Sequence, residues 1–264
     1  MPTFVVGDVH GYPETLARLL RDAGLVDSKL HWSGRDAGLW LLGDLVDRGP
    51  DGIGAIDLVM RLEQEGDVRC LLGNHEAVML AVSRFEDGGA SRLDELLRLY
   101  WLNGGQAADR VRFRPEHAAW IERLPAVARD GDWLLLHSDT DLYLQFGRSV
   151  EEINRTISSI LTAGDADAVE DLLDSLADRT VLNDPAAVDR LLATLGGVRI
   201  VHGHTPIAFV TGAGPERVVE PLVYGDGRVL NVDHCLFAGG PGFITELPVV
   251  SRDELSTKSS DAAP

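Results

Sequence analysis

The chain has little cysteine, little positive charge and no long apolar run. Two cysteines in 264 residues exclude a disulfide scaffold. Cys70 and Cys235 stand in or just after strand-like runs and read as free core thiols, which fits a reducing cytoplasm. No segment approaches the roughly eighteen apolar residues of a membrane span. The N-terminus enters a strand and then a polar loop at once, which predicts a cytoplasmic protein with no cleaved signal peptide. Lysine and arginine number 24 against 42 acids, a formal charge of -18. That field repels nucleic acid and anionic lipid, so neither is expected as a partner.

Apolar residues make up 45% of the sequence, enough for a full core. Short polar stretches follow its aliphatic runs. Gly7-Asp8-Val9-His10-Gly11 comes after residues 3–6, and Gly43-Asp44-Leu45-Val46-Asp47-Arg48-Gly49 after 39–42. Gly73-Asn74-His75-Glu76 comes after 68–72, and His202-Gly203-His204 after 198–201. Each reads as buried strand, tight glycine loop and polar ligand, the way an open α/β sheet lines one edge with its site. Between them, Pro13-Glu14-Thr15 opens a helix with Leu16, Leu19 and Leu20 on one face, and residues 53–65 and 76–82 predict two more. The order βαβαβα implies parallel strands with right-handed crossovers.

The middle is more helical. Residues 91–99 and 115–124 flank the Asn103-Gly104-Gly105 turn, and 133–136 form a short strand ending at His137. Residues 149–195 carry apolar positions at helical spacing: Ile153, Ile157 and Leu161, then Val169, Leu172 and Leu176, then Val188, Leu191 and Leu195. Inserted between two ligand-bearing strands, they are expected to cap the site. Residues 207–210, 218–223, 228–232 and 243–247 predict strands of a second sheet. Residues 251–264 predict a disordered tail. No boundary divides the polar clusters, so 1–250 is expected to be a single domain.

Aspartate, histidine and asparagine are ligands suited to a pair of divalent cations. Asp8, Asp44 and Asp47 in one cleft would repel one another, and metals remove that penalty. The simplest assignment puts Asp8 and His10 on one cation, Asn74 on the other and Asp44 between them. His137, His202 and His204 then complete the shells. Two cations roughly 3.5–4 Å apart activate water and support in-line phosphoryl transfer. Asp47 and His75 read as an acid–imidazole pair that protonates a leaving group. Arg48 supplies a planar fork for phosphoryl oxygens. So much histidine suits manganese, iron or zinc better than calcium or magnesium.

These motifs closely resemble the calcineurin-like metallophosphoesterase superfamily and, over residues 3–247, its phosphoprotein phosphatase branch. The resemblance implies an α/β fold: a double-sheet β-sandwich flanked by helices in four αββα layers, with a helical cap insertion. It implies a first metal on Asp8, His10 and His204, a second on Asn74, His137 and His202, and Asp44 as the bridge, with manganese the habitual ion. Trp101-Leu102-Asn103-Gly104-Gly105 and Leu124-Pro125 look like segments of the same branch. The related symmetrical diadenosine tetraphosphatases typically carry Ala where this chain has Asp47, and Asp where it has Glu76. Both differences favour a phosphomonoesterase acting on phosphoserine or phosphothreonine and on small phosphoesters. Dinucleoside polyphosphate or nucleotide hydrolysis is the alternative. Ser138-Asp139 and Asn231-Val232-Asp233-His234-Cys235 depart from the usual spelling, the latter where the family reads Asp-Thr-Gly. A further phosphate-binding arginine is implied between His137 and His202, with Arg148, Arg155 and Arg179 as candidates.

Overall fold

Alternation along the strands divides the apolar residues between two layers. The structure, a computed structural model, describes residues 1–85, 90–163 and 165–248. It begins β1 (Thr3–Val6), α1 (Pro13–Asp22), β2 (Gly38–Leu41), α2 (Gly52–Glu65), β3 (Val68–Cys70) and α3 (Asn74–Phe85). Next come α4 (Ala90–Leu102), α5 (Ala107–Arg112), α6 (Pro115–Ile121), β4 (Val127–Asp130) and β5 (Trp133–Leu136). The insertion supplies α7 (Val150–Ala163), α8 (Ala166–Ala177) and α9 (Pro185–Leu195). The chain then runs through β6 (Arg199–His202), α10 (Ile207–Thr211), β7 (Leu222–Tyr224), β8 (Val229–Asn231) and β9 (Thr245–Leu247).

One sheet has the order β3-β2-β1-β9 and the other β4-β5-β6-β8-β7. In the first, β1, β2 and β3 are parallel; in the second, β5, β6 and β8 are parallel. Along β5, Trp133 and Leu135 turn inward to join Val5, Trp40, Val201 and Leu230 between the sheets. Leu134 and Leu136 turn the other way, into the larger core beneath the helices. Trp40 Nε1 also donates to Asp130 Oδ2 at 3.0 Å, from one sheet to the other. The result is an α/β fold of two mixed sheets flanked by helices, in four layers.

Three expectations change. The ligand-bearing strands are split between two sheets rather than lining one edge. Residues 207–210 lie in the helix α10, which follows Pro206 and stops at Gly212, whose φ is +70°. A short apolar run does not distinguish strand from helix by periodicity, and here only Ile207 and Ala208 are buried. Residues 243–247 contribute β9 to the first sheet, antiparallel to β1, instead of to the second. The expected tail, 251–264, lies outside the described residues.

The insertion packs as an outer layer. Ile153, Ile157 and Leu161 of α7, Leu172 and Leu176 of α8, and Val188 and Leu191 of α9 all enter the larger core. Each such burial is worth about 1.5–3 kcal/mol. Its segment 176–182 reaches toward the strand ends: Ser138 Oγ donates to Leu176 O, and the backbone of Asp139 receives Val181 N at 3.1 Å. Among the described residues no helix is long and apolar enough to cross a membrane.

Candidate metal centre

The parallel strands of both sheets end on the same side and bring the polar stretches together. β1 delivers Asp8 and His10, β2 Asp44, Asp47 and Arg48, β3 Asn74 and His75, β5 His137, and β6 His204. Several of these residues sit in the left-handed region that non-glycine residues avoid: φ is 46° at His10, 52° at Asp44, 65° at Asp47, 64° at Arg48 and 63° at His204. Such strain, of order 1–3 kcal/mol each, persists only where neighbours over-determine it. Glu76 is one such neighbour. Its carboxylate accepts from the backbone N–H groups of Asp44 (2.8 Å), Leu45 (2.7 Å), Val46 (3.2 Å) and Gly73 (3.1 Å). Gly73 leaves room for this: a Cβ there would lie 2.2 Å from Asp44 Oδ1. Burial and then the Asp44 charge push Glu76 up to about 7.

Backbone carbonyls choose the imidazole tautomers. A carbonyl only accepts, so a ring nitrogen facing one carries the proton and frees the other nitrogen. His10 Nδ1 lies 2.9 Å from Val46 O, which leaves Nε2 facing Asp8 Oδ2 at 3.8 Å and Asp44 Oδ2 at 3.7 Å. His137 Nδ1 lies 2.8 Å from Leu42 O, and its Nε2 faces Asn74 Oδ1 at 3.0 Å and Asp44 Oδ1 at 3.3 Å. His204 Nε2 is 3.1 Å from Ala177 O, which frees Nδ1. His75 Nδ1 is held at 2.7 Å by Asp47 Oδ2, and its Nε2 faces Asp44 Oδ2 at 3.7 Å.

Two ligand groups emerge, both buried: His10, Asp44 and His75, and Asp44, His137 and His204, each with ligand atoms within 4.8 Å of one another. Asp44 belongs to both, as a bridge would. Of the late histidines, His204 stands beside His137, at 5.0 Å between ring centroids. His202 joins neither group: its Nδ1 donates to Gly203 O at 2.8 Å and its Nε2 receives Tyr224 OH at 2.8 Å. Residues two apart would share a face on an extended strand, but the left-handed turn at His204 swings its ring away from that of His202.

The electrostatics fit a cation. Burial raises Asp8, Asp233 and Asp44 raise it further, and its Oδ2 has no hydrogen-bond partner among the described residues. Burial lowers His10 well below its ordinary value, then the His75 charge does so again. Burial opposes the charged form of Asp44, yet His137 and His75 outweigh it and hold the carboxyl well below the usual range. Burial also opposes a charged His137, but Asp44, Asp8 and Glu76 overcome it and lift the imidazole to about 9. A proton on His137 Nε2, between two oxygens, occupies a position that a metal ion can take, and binding would release it. The cluster already receives a cationic group: Arg48 Nη1 lies 2.8 Å from His10 Nε2 and Nη2 3.1 Å from His75 Nε2. The Arg48 guanidinium lies 4.4 Å from the centroid of the Phe237 ring, a cation–π contact.

Other positions resolve differently. Asp139 does not face the cluster. Its oxygens accept from Thr205 Oγ1 at 2.5 Å and Thr180 N at 2.7 Å, fastening the connection between α8 and α9 to the loop after β6. His234 is a buried neutral imidazole, lowered to about 3 by burial, with its ring edge-on to Phe243. Arg148, Arg155 and Arg179 are all exposed, and the charge of Arg179 is felt at His204. Sequence reasoning passed over Phe237, Tyr224 and Asp233, and undervalued Glu76. For Phe237 and Tyr224 no local signal existed; Asp233 lay in a stretch already singled out for its spelling.

The calcineurin-like phosphoesterase family model matches residues 1–238. The chain belongs to the calcineurin-like phosphoesterase family. A symmetrical bis(5'-nucleosyl)-tetraphosphatase from Escherichia coli O17:K52:H18 is 32% identical over 165 residues, covering 62% of this chain and 52% of that protein. The chain thus spans about half the length of the curated relatives it matches. Among solved structures, a cold-active protein-tyrosine phosphatase from a psychrophilic Shewanella superposes with a TM-score of 0.70 at 20% identity, covering 93% of this chain and 75% of that one. A Saccharomyces cerevisiae protein serine/threonine phosphatase gives 0.54 at 15%, covering 96% and 81%. Both share the fold. The clustered histidines and aspartates are those of a dinuclear metal-dependent hydrolase site.

Proposed function

We propose that this metal-dependent phosphoesterase hydrolyses the phosphoanhydride of a dinucleoside tetraphosphate, cleaving it symmetrically. The observation that carries the reading is the 32% identity with a symmetrical tetraphosphatase over 165 residues. It displaces the phosphoprotein from first place among the expected substrates.

Asp8, His10 and Asp44 would hold one cation, and Asp44, Asn74, His137 and His204 the other, with manganese ahead of iron or zinc. When bound, the pair would supply Lewis acidity to the phosphoryl group and to the attacking water. The remaining work falls to the chain itself. Arg48 presents a planar fork to two phosphoryl oxygens, and Arg179 is the second clamp among the three candidate arginines. His75 is oriented by Asp47 and holds Nε2 where it can pass a proton to the leaving oxygen.

That pair supports a second reading, a phosphoserine or phosphothreonine phosphatase. An alkoxide leaving group is a strong base and needs the proton, whereas a nucleoside diphosphate leaves as a weak base. The test is kcat/KM for diadenosine tetraphosphate and for a phosphothreonine peptide, in protein reconstituted with Mn2+. Preference for the dinucleotide by about a hundredfold, roughly 3 kcal/mol, with ADP as sole product supports the proposal. Preference for the peptide by the same margin makes the second reading correct.

A further inference from the structure

The parallel strands β1, β2, β3, β5 and β6 each deliver a residue already given a role. The remaining parallel strand, β8, ends beside them and has been given none. Val232 N donates to His202 O at 2.9 Å, which continues the β6–β8 pairing and brings Asp233 to the same side of the sheet. We propose that Asp233 is a further acidic residue of the metal centre, holding a divalent cation together with Asp8. The inference rests on the two-metal reading above.

Asp8 and Asp233 come from different sheets and meet because Gly7 lets the strand ends touch. A Cβ at Gly7 would lie 2.2 Å from Val232 O and 3.1 Å from Asp233 Cα. Each carboxylate is 1% exposed and fixed by one oxygen: Asp8 Oδ1 accepts from His204 N at 2.9 Å, and Asp233 Oδ1 from Cys235 N at 2.9 Å. The second oxygen of each, Asp8 Oδ2 and Asp233 Oδ2, has no hydrogen-bond partner among the described residues. Asp8 Oδ2 faces His10 Nε2 at 3.8 Å.

Two buried carboxylates with idle oxygens are unfavourable neighbours unless a positive charge joins them. Arg48 does not satisfy them, because its fork is turned toward His10 and His75. Asp8 Oδ2 and His10 Nε2 form a mixed oxygen and nitrogen pair suited to manganese or zinc, which a carboxylate of Asp233 would extend. Asp233 would thereby share the cation with Asp8, and it is the part of the Asn231-Val232-Asp233-His234-Cys235 stretch with a site role.

Asp233→Asn tests this, since the amide keeps the acceptor for Cys235 N and changes only the idle oxygen. Mn2+ is titrated calorimetrically into metal-stripped wild type and variant, and the melting of both metal-free proteins is recorded. The expected result is two ions in the wild type, about 10–100-fold weaker binding of one of them in the variant, and a metal-free variant that melts no lower. Unchanged affinity at both sites overturns the inference and leaves the phosphoesterase reading intact. No divalent binding by the wild type overturns both. Weaker binding with a lower metal-free melting point makes Asp233 structural and also overturns the inference. A second measurement uses Asp8→Asn in the metal-free protein. Either single substitution is expected to raise the melting point and the double to add little, as for a repulsive pair; additive effects overturn the proposal.

Discussion

The strand-end loops and the helices α7–α9 are built on opposite principles. The loops hold buried charges, left-handed non-glycine residues and carboxylate oxygens without partners. The helices are regular, with apolar residues inward and aspartate caps at Asp165 and Asp184. The helices contribute burial at little local strain, while the loops are strained and electrostatically frustrated without a cation. Stability and chemistry therefore occupy different segments of one fold, and substitutions should separate them.

The largest effect is expected at the loops. Asp47→Asn leaves His75 without its carboxylate and should lower kcat on an alkyl phosphomonoester by about 10²–10⁴-fold, measured with circular dichroism to show that the variant is folded. The reverse case is Leu172→Ala in α8, fully buried in the larger core. It should cost about 2–5 kcal/mol in urea denaturation, with kcat per folded molecule unchanged. Loss of kcat in proportion to stability would mean that the two regions are not separable.

Acid should distinguish them next. Burial holds His234 at about 3, against an ordinary value near 6.5. Between those values the unfolded chain binds a proton that the folded one refuses, so stability is full above about 6.5 and falls as the pH drops. At pH 5 the loss is about 2 kcal/mol, from 1.36 kcal/mol per unit. His234→Leu should remove that part of the slope in unfolding measured at pH 7 and pH 5, and an unchanged slope would place the acid sensitivity elsewhere. The smallest effect belongs to the helices. Asp165 accepts from Asp167 N at 3.1 Å and Ala168 N at 3.3 Å, and Asp165→Ala should cost about 1 kcal/mol with no change in Mn2+ affinity.

Much of this was legible along the chain. Alternation and helical spacing are local, so the early strands, the helices of 149–195 and the polar stretch at each strand end could be read before any contact was known. The residue types at those ends named divalent cations, and their order implied parallel strands. Short elements escaped: 207–210 is helical because Pro206 and Gly212 bound it, and α5 carried no pattern long enough to read.

Tertiary structure decided what depends on partners. His202 and His204 look equivalent in sequence, yet the Tyr224 hydroxyl takes the lone pair of one while a left-handed turn aims the other at His137. Glu76 follows a predicted ligand, but its role lies in backbone N–H groups about thirty residues earlier in the chain. Asp233 became a site residue only when β8 was paired beside β6 and Gly7 brought the two sheets into contact. The sequence determined which donors exist and which strands carry them. Where each donor points was set by φ signs, carbonyl partners and sheet pairing, because those are contacts between segments remote from one another in the chain.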